Sequence, residues 1–288
     1  MSIYMLTPQT LVERIQELTP IRTSAIRLLT LLGDERVTMA DLILLVSQDV
    51  ALSANLLRIA NSAYYRGNEP VSSLHKAVVR LGTQGVYRAA LGLSLRGSLP
   101  EQIPGYGISV EAFTQHSVAC AVLAESLARD LGMPDRDSIF TAGLLHDIGK
   151  LVVGQFLAEQ RVQVDTCLSG EATSLEEIER TVLALDHCAV GEQIAQAWGL
   201  PSVVGLATRW HHEPSAAPTA EARRIGSLIH CADGLAHRMG FGTGLGGLLR
   251  RHDSGAELAL GPDAIDHLVA SSFNAIQELA GALNAANF

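Results

Sequence analysis

The chain has 288 residues, 48% apolar and 18% charged, so it is long enough and apolar enough to bury one large core or two smaller ones. Its formal net charge of -9 argues against a broad nucleic-acid surface, because neutralising phosphates requires clustered lysine and arginine. The four cysteines are isolated, so the sequence suggests neither a disulfide framework nor a cysteine-based zinc site and favours a cytoplasmic protein. With no signal-peptide layout and no apolar run near the roughly 20 residues that span a bilayer, we expect no membrane segment.

Apolar residues recur at helical spacing along almost every long segment, as in Leu11, Ile15 and Leu18 near the amino terminus. Alternation typical of strands is hard to find. Glycine and proline mark the ends of the periodic segments at Gly33-Asp34, Gly67 to Pro70, Gly132 to Pro134, and Gly199 to Pro201. The pattern predicts an all-α protein of about a dozen helices.

The amino-terminal half contains a helix whose apolar residues between Leu52 and Ile59 share one face. Asp49 stands where a capping side chain accepts the first amide hydrogens of that helix. We interpret Asp49, Asn55 and Asn61 as caps and buried hydrogen-bonding groups, with a ligand or partner contact as the alternative.

The segment from Thr38 to Asn61 also has the outline of a helix-turn-helix DNA reader. Its second helix offers only Arg58 as a cation, whereas DNA binding needs several phosphate contacts. Direct nucleic-acid binding is therefore disfavoured.

Two irregular stretches interrupt the helical pattern. The first, Gly97 to Gly107, separates residues 1–104, an amino-terminal helical part, from residues 105–288, a histidine-bearing part. The second, Gly240 to Gly255, precedes a last helix from about residue 262 to 285. We predict a surface connection there, with a mobile flap over a site as the alternative.

The pentapeptide from His146 to Lys150 follows the apolar segment 142–145 and inserts an imidazole and the Asp147 carboxylate where burial is costly. Such groups need partners, and either a metal or a mutual hydrogen-bond network supplies them. Lys150 follows His146 by four residues, so we predict that both side chains project from one helical face, where an ammonium beside a metal suits an anionic phosphate. Gly149 would keep that face uncrowded.

Further segments carry other groups that can chelate a metal, namely His116, His187, the adjacent pair His211-His212, and Asp233. Taken alone, His116 is more typical of a core or surface histidine than of a ligand. Adjacent imidazoles on a helix project about 100° apart, so His211 and His212 reach one cavity only if it lies between them. His230, three residues before Asp233, is placed to hydrogen-bond to a metal ligand without binding the metal itself.

The run from Gln48 to Tyr65, its continuation from Ser73 to Gly82, and the His146-Asp147 pair together resemble the HDOD family. This family is a regulatory branch related to the HD superfamily of metal-dependent phosphohydrolases. The resemblance spans about residues 8 to 235 and implies a multi-helix HD-like bundle with an amino-terminal helical HDOD layer.

The resemblance also implies a ligand set for two divalent ions. One ion would be held by His116, His146, Asp147 and Asp233, and the other by His187, His211 and His212, with Asp147 bridging them. Iron, manganese and magnesium all suit this mixed nitrogen and oxygen set. Many HDOD proteins lack several of these positions, whereas this chain keeps the whole set; histidines that bond to one another without metal are the alternative.

Two functions follow from the resemblance. The first is a regulatory module of bacterial signal transduction that binds a signalling protein, a small phosphorylated ligand, or both. The second is an active phosphohydrolase on a nucleotide, cyclic nucleotide or other phosphoester, in which Asp147 and Lys150 carry the chemistry. After Glu213 the chain lacks the Asp-Gly-x-Gly-Tyr-Pro run of the cyclic-di-GMP phosphodiesterase branch, so that substrate is not supported.

Overall fold

The computed structural model describes residues 38–242, 258 and 260–284, apart from 48–49, 63–64, 66–68, 99–100, 134–135 and 170–173. Almost all regular structure in these residues is helical, which confirms the all-α prediction. The proposed cap Asp49, the periodic residues Leu11 to Leu18, and most of the glycine-rich stretch, from 243 to 257, lie outside the described residues.

Contacts divide the described chain into two compact units. One contains residues 100–270, and the other contains the residues before 100 that the structure describes together with residues 271–284. The sequence-based division into 1–104 and 105–288 stays a prediction.

The unit with the earlier residues contains α1 (Met39–Ser47), α2 (Val50–Ala60) and α3 (Leu74–Ser98). Asn61, directly after α2, donates from Nδ2 to the carbonyls of Leu57 (3.0 Å) and Val71 (2.9 Å). Its Oδ1 accepts the Val71 amide hydrogen at an N–O distance of 2.7 Å. Asn61 therefore ties the end of α2 to the segment before α3, which confirms its interpretation as a hydrogen-bonding group.

The larger unit begins with a short antiparallel hairpin, in which β1 (Gln102–Ile103) pairs with β2 (Ile108–Ser109). The sequence pattern did not predict this hairpin. Each strand has two residues, too few for alternation to appear in a sequence pattern, and Gly105 and Gly107 turn the chain with φ of +73° and +65°.

Helices form the rest of this unit. They are α4 (Val110–Asp130), α5 (Arg136–Leu145), α6 (Lys150–Glu159), α7 (Arg161–Leu168), α8 (Leu175–Leu183), α9 (His187–Ala197), α10 (Ser202–Trp210) and α11 (Ala220–Ala236). A 3-10 turn, Pro214–Ala216, lies between α10 and α11, and a π-helical turn, His237–Phe241, follows α11. The last helix, α12 (Pro262–Asn284), agrees with the predicted span. None of the described helices is long and apolar enough to cross a membrane.

Close contact between α4 and α5 positions the chelating side chains. A Cβ added at Gly143 in α5 would lie 2.8 Å from the Ala121 Cα atom in α4, a distance that real side chains do not reach. The two helices can therefore approach closely only because residue 143 has no side chain. This contact lies near His116 on α4 and His146 just after α5.

Candidate metal centre

The structure brings the seven predicted ligands together in the unit of residues 100–270. They come from the middle of α4, the turn after α5, the start of α9, the end of α10 and the last turn of α11. Six of them have at most 1% of their surface exposed: His116, His146, Asp147, His187, His211 and Asp233. The side chain of the seventh, His212, is 8% exposed. The centre is therefore closed to solvent on almost every side.

Asp147 lies in the middle of the group. Its Oδ2 atom is 3.5 Å from His146 Nε2 and 3.8 Å from His116 Nε2. Its Oδ1 atom is 3.4 Å from His187 Nε2 and 3.6 Å from His211 Nε2. Each carboxylate oxygen therefore faces a different pair of imidazoles, as a bridging ligand would.

Asp233 and His212 lie at opposite ends of this arrangement. Asp233 Oδ1 is 3.2 Å from His116 Nε2 and 4.0 Å from His146 Nε2. His212 Nε2 is 3.0 Å from His187 Nε2 and 2.9 Å from Glu176 Oε1. The nitrogen and oxygen donors thus form a continuous row with Asp147 at its centre.

The orientation of three imidazoles is set by bonds from Nδ1 to main-chain carbonyl oxygens. These bonds run from His116 to Phe241 (3.0 Å), from His146 to Gly143 (2.8 Å) and from His211 to Thr208 (3.0 Å). A carbonyl only accepts, so Nδ1 carries the hydrogen and a neutral ring presents the Nε2 lone pair towards Asp147. Burial also lowers the pKa of His146 well below its usual value, which favours the neutral ring.

His187 is held differently, by a buried carboxylate. Its Nδ1 atom is 2.8 and 2.9 Å from the two carboxylate oxygens of Glu179, and its main-chain amide donates to Glu179 Oε2 at 2.7 Å. The Tyr106 hydroxyl donates to Glu179 Oε1 at 2.7 Å. Burial lowers the pKa of His187, but the charge of Glu179 and the other neighbouring groups together raise it well above its usual value.

Lys150 neutralises part of the buried charge on Asp147. Its Nζ donates to Asp147 Oδ2, and the lysine is only 3% exposed. Burial would raise the pKa of Asp147, but the Lys150 ammonium and then the His146 ring outweigh it and hold the pKa well below its usual value. Asp147 is therefore an anion, the form that binds a metal.

The predicted continuous helix through this segment was wrong. Helix α5 ends at Leu145, residues 146–149 form a turn, and α6 begins at Lys150. The main chain at Gly149 passes so close to the start of α9 that an added Cβ would overlap the His187 carbonyl oxygen. Lys150 still reaches Asp147, but across a turn and not along one helical face.

The interpretation of His211 and His212 as neighbours within a helix was also wrong. Helix α10 ends at Trp210, and beyond it the two rings lie with centroids 3.8 Å apart. Both rings therefore reach the same centre from the turn that follows α10. His230 Nδ1 lies 2.7 Å from the His211 carbonyl oxygen, so it supports the main chain of a predicted ligand.

Sequence reasoning missed Glu176, Glu179, Tyr106 and His237. The two glutamates are three residues apart on α8 and both are buried, so they share one inward face. Acidic residues at that spacing among Leu175, Ile178 and Val182 were the available signal. For His237 the available signal was its position four residues after Asp233, which places both on one helical face. Tyr106 offered none, since a single residue outside a motif carries no pattern.

The HDOD domain model matches residues 18–214, more than half of the chain. The chain belongs to the HDOD family.

Known proteins resemble this HDOD chain over most of its length. A candidate phosphohydrolase from Shewanella amazonensis SB2B has the same fold, with a TM-score of 0.76, 21% identity, and coverage of 95% of this chain and 97% of that one. A candidate signal transduction protein from Marinobacter aquaeolei VT8 gives a TM-score of 0.72 and 26% identity over 94% of this chain and 61% of its own.

A longer relative is an uncharacterized protein of Treponema pallidum (strain Nichols), which is 26% identical over 214 residues. The match covers 72% of this HDOD chain and 40% of the Treponema protein. The match therefore spans less than half the length of that relative.

The donors of the HDOD chain fit divalent ions. Chelating atoms lie within 4.8 Å of one another in three groups among the described residues: His187, Cys188, His211 and His212; His116, Asp233 and His237; and His116, His146 and Asp147. Within the part of the chain that the structure describes, buried His146 Nε2 and Asp147 Oδ1 have no hydrogen-bond partner. Leaving such atoms unsatisfied is costly, and a cation beside each of them would remove that cost.

Cys188 fits the ion less well than its histidine neighbours. Burial raises the pKa of its thiol, and a metal binds the thiolate. The nitrogen and carboxylate donors therefore fit a divalent ion better than this sulfur does.

Proposed function

We propose that this HDOD chain is a regulatory module of bacterial signal transduction that holds divalent ions in an HD-type centre and acts by binding a ligand or a partner protein. The observation that carries the proposal is the convergence of four histidine Nε2 atoms on the two oxygens of Asp147, at distances of 3.4–3.8 Å. The likeness to the Marinobacter signal transduction protein supports the signalling role.

The enclosure of the centre favours binding over turnover. Six of the seven ligands are at most 1% exposed. A phosphoester substrate is much larger than water and needs an open position beside the ion. A closed set of donors instead suits an ion that stabilises the fold, or a site through which the protein responds to the binding of metal.

An active phosphohydrolase is the second candidate, and the buried Lys150 beside Asp147 favours it. Bound divalent ions supply positive charge that polarises a phosphoryl oxygen and lowers the pKa of water. Lys150 adds a further positive charge, which would help to bind an anionic phosphate. Cyclic-di-GMP is not proposed as the substrate, because the sequence after Glu213 lacks the Asp-Gly-x-Gly-Tyr-Pro run.

Metal analysis of the purified protein tests the proposal. After anaerobic loading with iron, manganese or magnesium, we expect stoichiometric metal in the wild type and its loss in Asp147→Asn, because the variant lacks the anion between the imidazoles. Asp130→Asn is the matched control, since that side chain is 52% exposed at the end of α4. Circular dichroism checks that each variant is folded.

A phosphoesterase screen on the same samples separates the two candidates. Metal without turnover supports the regulatory module. Turnover that disappears in Asp147→Asn and persists in Asp130→Asn would establish the hydrolase instead. A wild-type protein that binds no metal under any loading condition would contradict both.

A further inference from the structure

Beyond α11, the chain continues into a π-helical turn that brings another imidazole to the centre. His237 follows Asp233 by four residues, so both side chains project from one face. His237 Nε2 is 3.4 Å from Asp233 Oδ1. The pair therefore presents a nitrogen and an oxygen donor side by side.

His116, from α4, completes this group. Its Nε2 atom is 3.2 Å from the same Asp233 oxygen, and its ring centroid is 4.8 Å from that of His237. One donor atom from each of the three residues lies within 4.8 Å of the others. Two imidazoles and one carboxylate are a common ligand set for divalent transition metals.

The main chain holds His237 in this place. Gly240 has φ +86°, which turns the chain back, and an added Cβ at Gly242 would lie 2.5 Å from His237 Nδ1. The Phe241 carbonyl accepts the hydrogen bond from His116 Nδ1 at 3.0 Å. The turn that carries His237 therefore also orients His116, and π-helical turns are frequent at functional sites.

We propose that His237 is a further metal ligand, which binds a divalent cation together with His116 and Asp233. The inference rests on the proposed function, because it adds a donor to the same centre. His116 Nε2 also belongs to the group with His146 and Asp147, so His237 extends the ligand set of the ion on that side of the centre.

Manganese binding to the full chain tests this role. We expect His237→Ala to weaken the binding of one ion about tenfold or more in equilibrium dialysis, because a ligand is lost. His237→Gln should be weakened in the same way, since its amide can still hydrogen-bond to Asp233 but is a poor metal ligand. The control is His75→Ala, because His75 is exposed on α3 in the other unit.

Cobalt loading gives a second readout that does not depend on activity. The visible absorption of bound Co²⁺ should change in His237→Ala and His237→Gln and stay the same in His75→Ala, because it reports the ligand set. Wild-type affinity and spectrum in His237→Ala would overturn the inference, as would full recovery in His237→Gln. In either case, metal binding by the wild type would still support the proposed function. A wild-type protein that binds no metal would contradict both the proposed function and the role of His237.

Discussion

Asp147 shows how a buried carboxylate is made tolerable in this protein. It is 1% exposed, and removing an anion from water is costly unless charges and hydrogen-bond donors surround it. Lys150 provides one positive charge at Oδ2, and imidazoles face both oxygens. The environment of the anion is therefore also the environment of a metal ligand.

Glu179 orients His187, so its charge should affect metal binding. In Glu179→Gln we expect the affinity for manganese to fall about 10- to 100-fold, because the ring loses the carboxylate that fixes its tautomer and direction. Equilibrium dialysis measures this change. Glu177→Gln is the control, since Glu177 is exposed on the same helix. Unchanged affinity in Glu179→Gln would show that His187 needs no such support.

Substitution of Tyr106 should weaken metal binding less than substitution of Glu179, because Tyr106 hydrogen-bonds to Glu179, which in turn holds His187. Burial and then the charge of Glu179 raise the pKa of Tyr106 well above its usual value, so its hydroxyl stays a donor at physiological pH. In Tyr106→Phe we expect about 1.5–3 kcal/mol less stability in urea unfolding, since one hydrogen bond to a charged group is lost. If Tyr106→Phe lost more metal affinity than Glu179→Gln, this would contradict the idea that Tyr106 acts on His187 only through Glu179.

At the scale of elements, most of the predicted ligands occur where helices begin or end, whereas His116 lies in the middle of α4. His146 and Asp147 lie in the turn between α5 and α6, His187 begins α9, and His211 follows α10. Side chains at the ends of different helices can approach one point from several directions. Side chains on one face of a single helix can approach it only from one side. The breaks in the helices therefore allow the donors to converge.

Gly149 is the position where two such ends meet. An added Cβ would overlap the His187 carbonyl oxygen and lie 2.8 Å from the Gly191 amide nitrogen. We expect Gly149→Ala to lose about 1–3 kcal/mol of stability or more, and to bind metal poorly, because the turn and α9 must separate. Thermal unfolding and metal analysis measure the two effects.

Gly205→Ala is the control for that substitution. Gly205 lies within α10, where an added Cβ meets only the Ala195 Cβ atom, at 4.0 Å. We expect this variant to be as stable as the wild type or up to about 1 kcal/mol more stable, since alanine favours helix. Equal stability of the Gly149 and Gly205 variants would mean that the close contact at Gly149 is unimportant.

At the scale of the whole molecule, the centre would link helices far apart in sequence. The predicted ligands run from His116 on α4 to Asp233 on α11, across the unit of residues 100–270. An ion bound only by the folded state stabilises it by mass action, by about 2.7 kcal/mol when free metal exceeds Kd 100-fold. Metal occupancy should therefore control the stability of this unit.

Removal of the ion tests this effect. We expect a chelator to lower the Tm in calorimetry and added manganese to restore it. Asp147→Asn should show neither change, because it lacks the anion at the centre. A wild-type Tm that is the same with and without chelator would show that the histidine network holds the unit without metal.

Particular residues show how far sequence reasoning reached. The helical periodicity, the span of α12 and the hydrogen-bonding role of Asn61 were predicted, because each depends on near neighbours in the chain. The hairpin at residues 102–109 and the break after Leu145 were not, because strands of two residues and a single turn are too short for a pattern. Glu179 was missed because its contact with His187 is set by packing, and His237 was missed because only packing brings it to His116.

The sequence by itself determined the helical class and the types of donor, since periodicity and side-chain chemistry are written in the order of residues. Only the tertiary structure decided that each oxygen of Asp147 faces its own pair of imidazoles. The physical reason is that helix packing, through contacts such as Gly143 on Ala121 and Gly149 against His187, sets distances between residues that the chain places far apart.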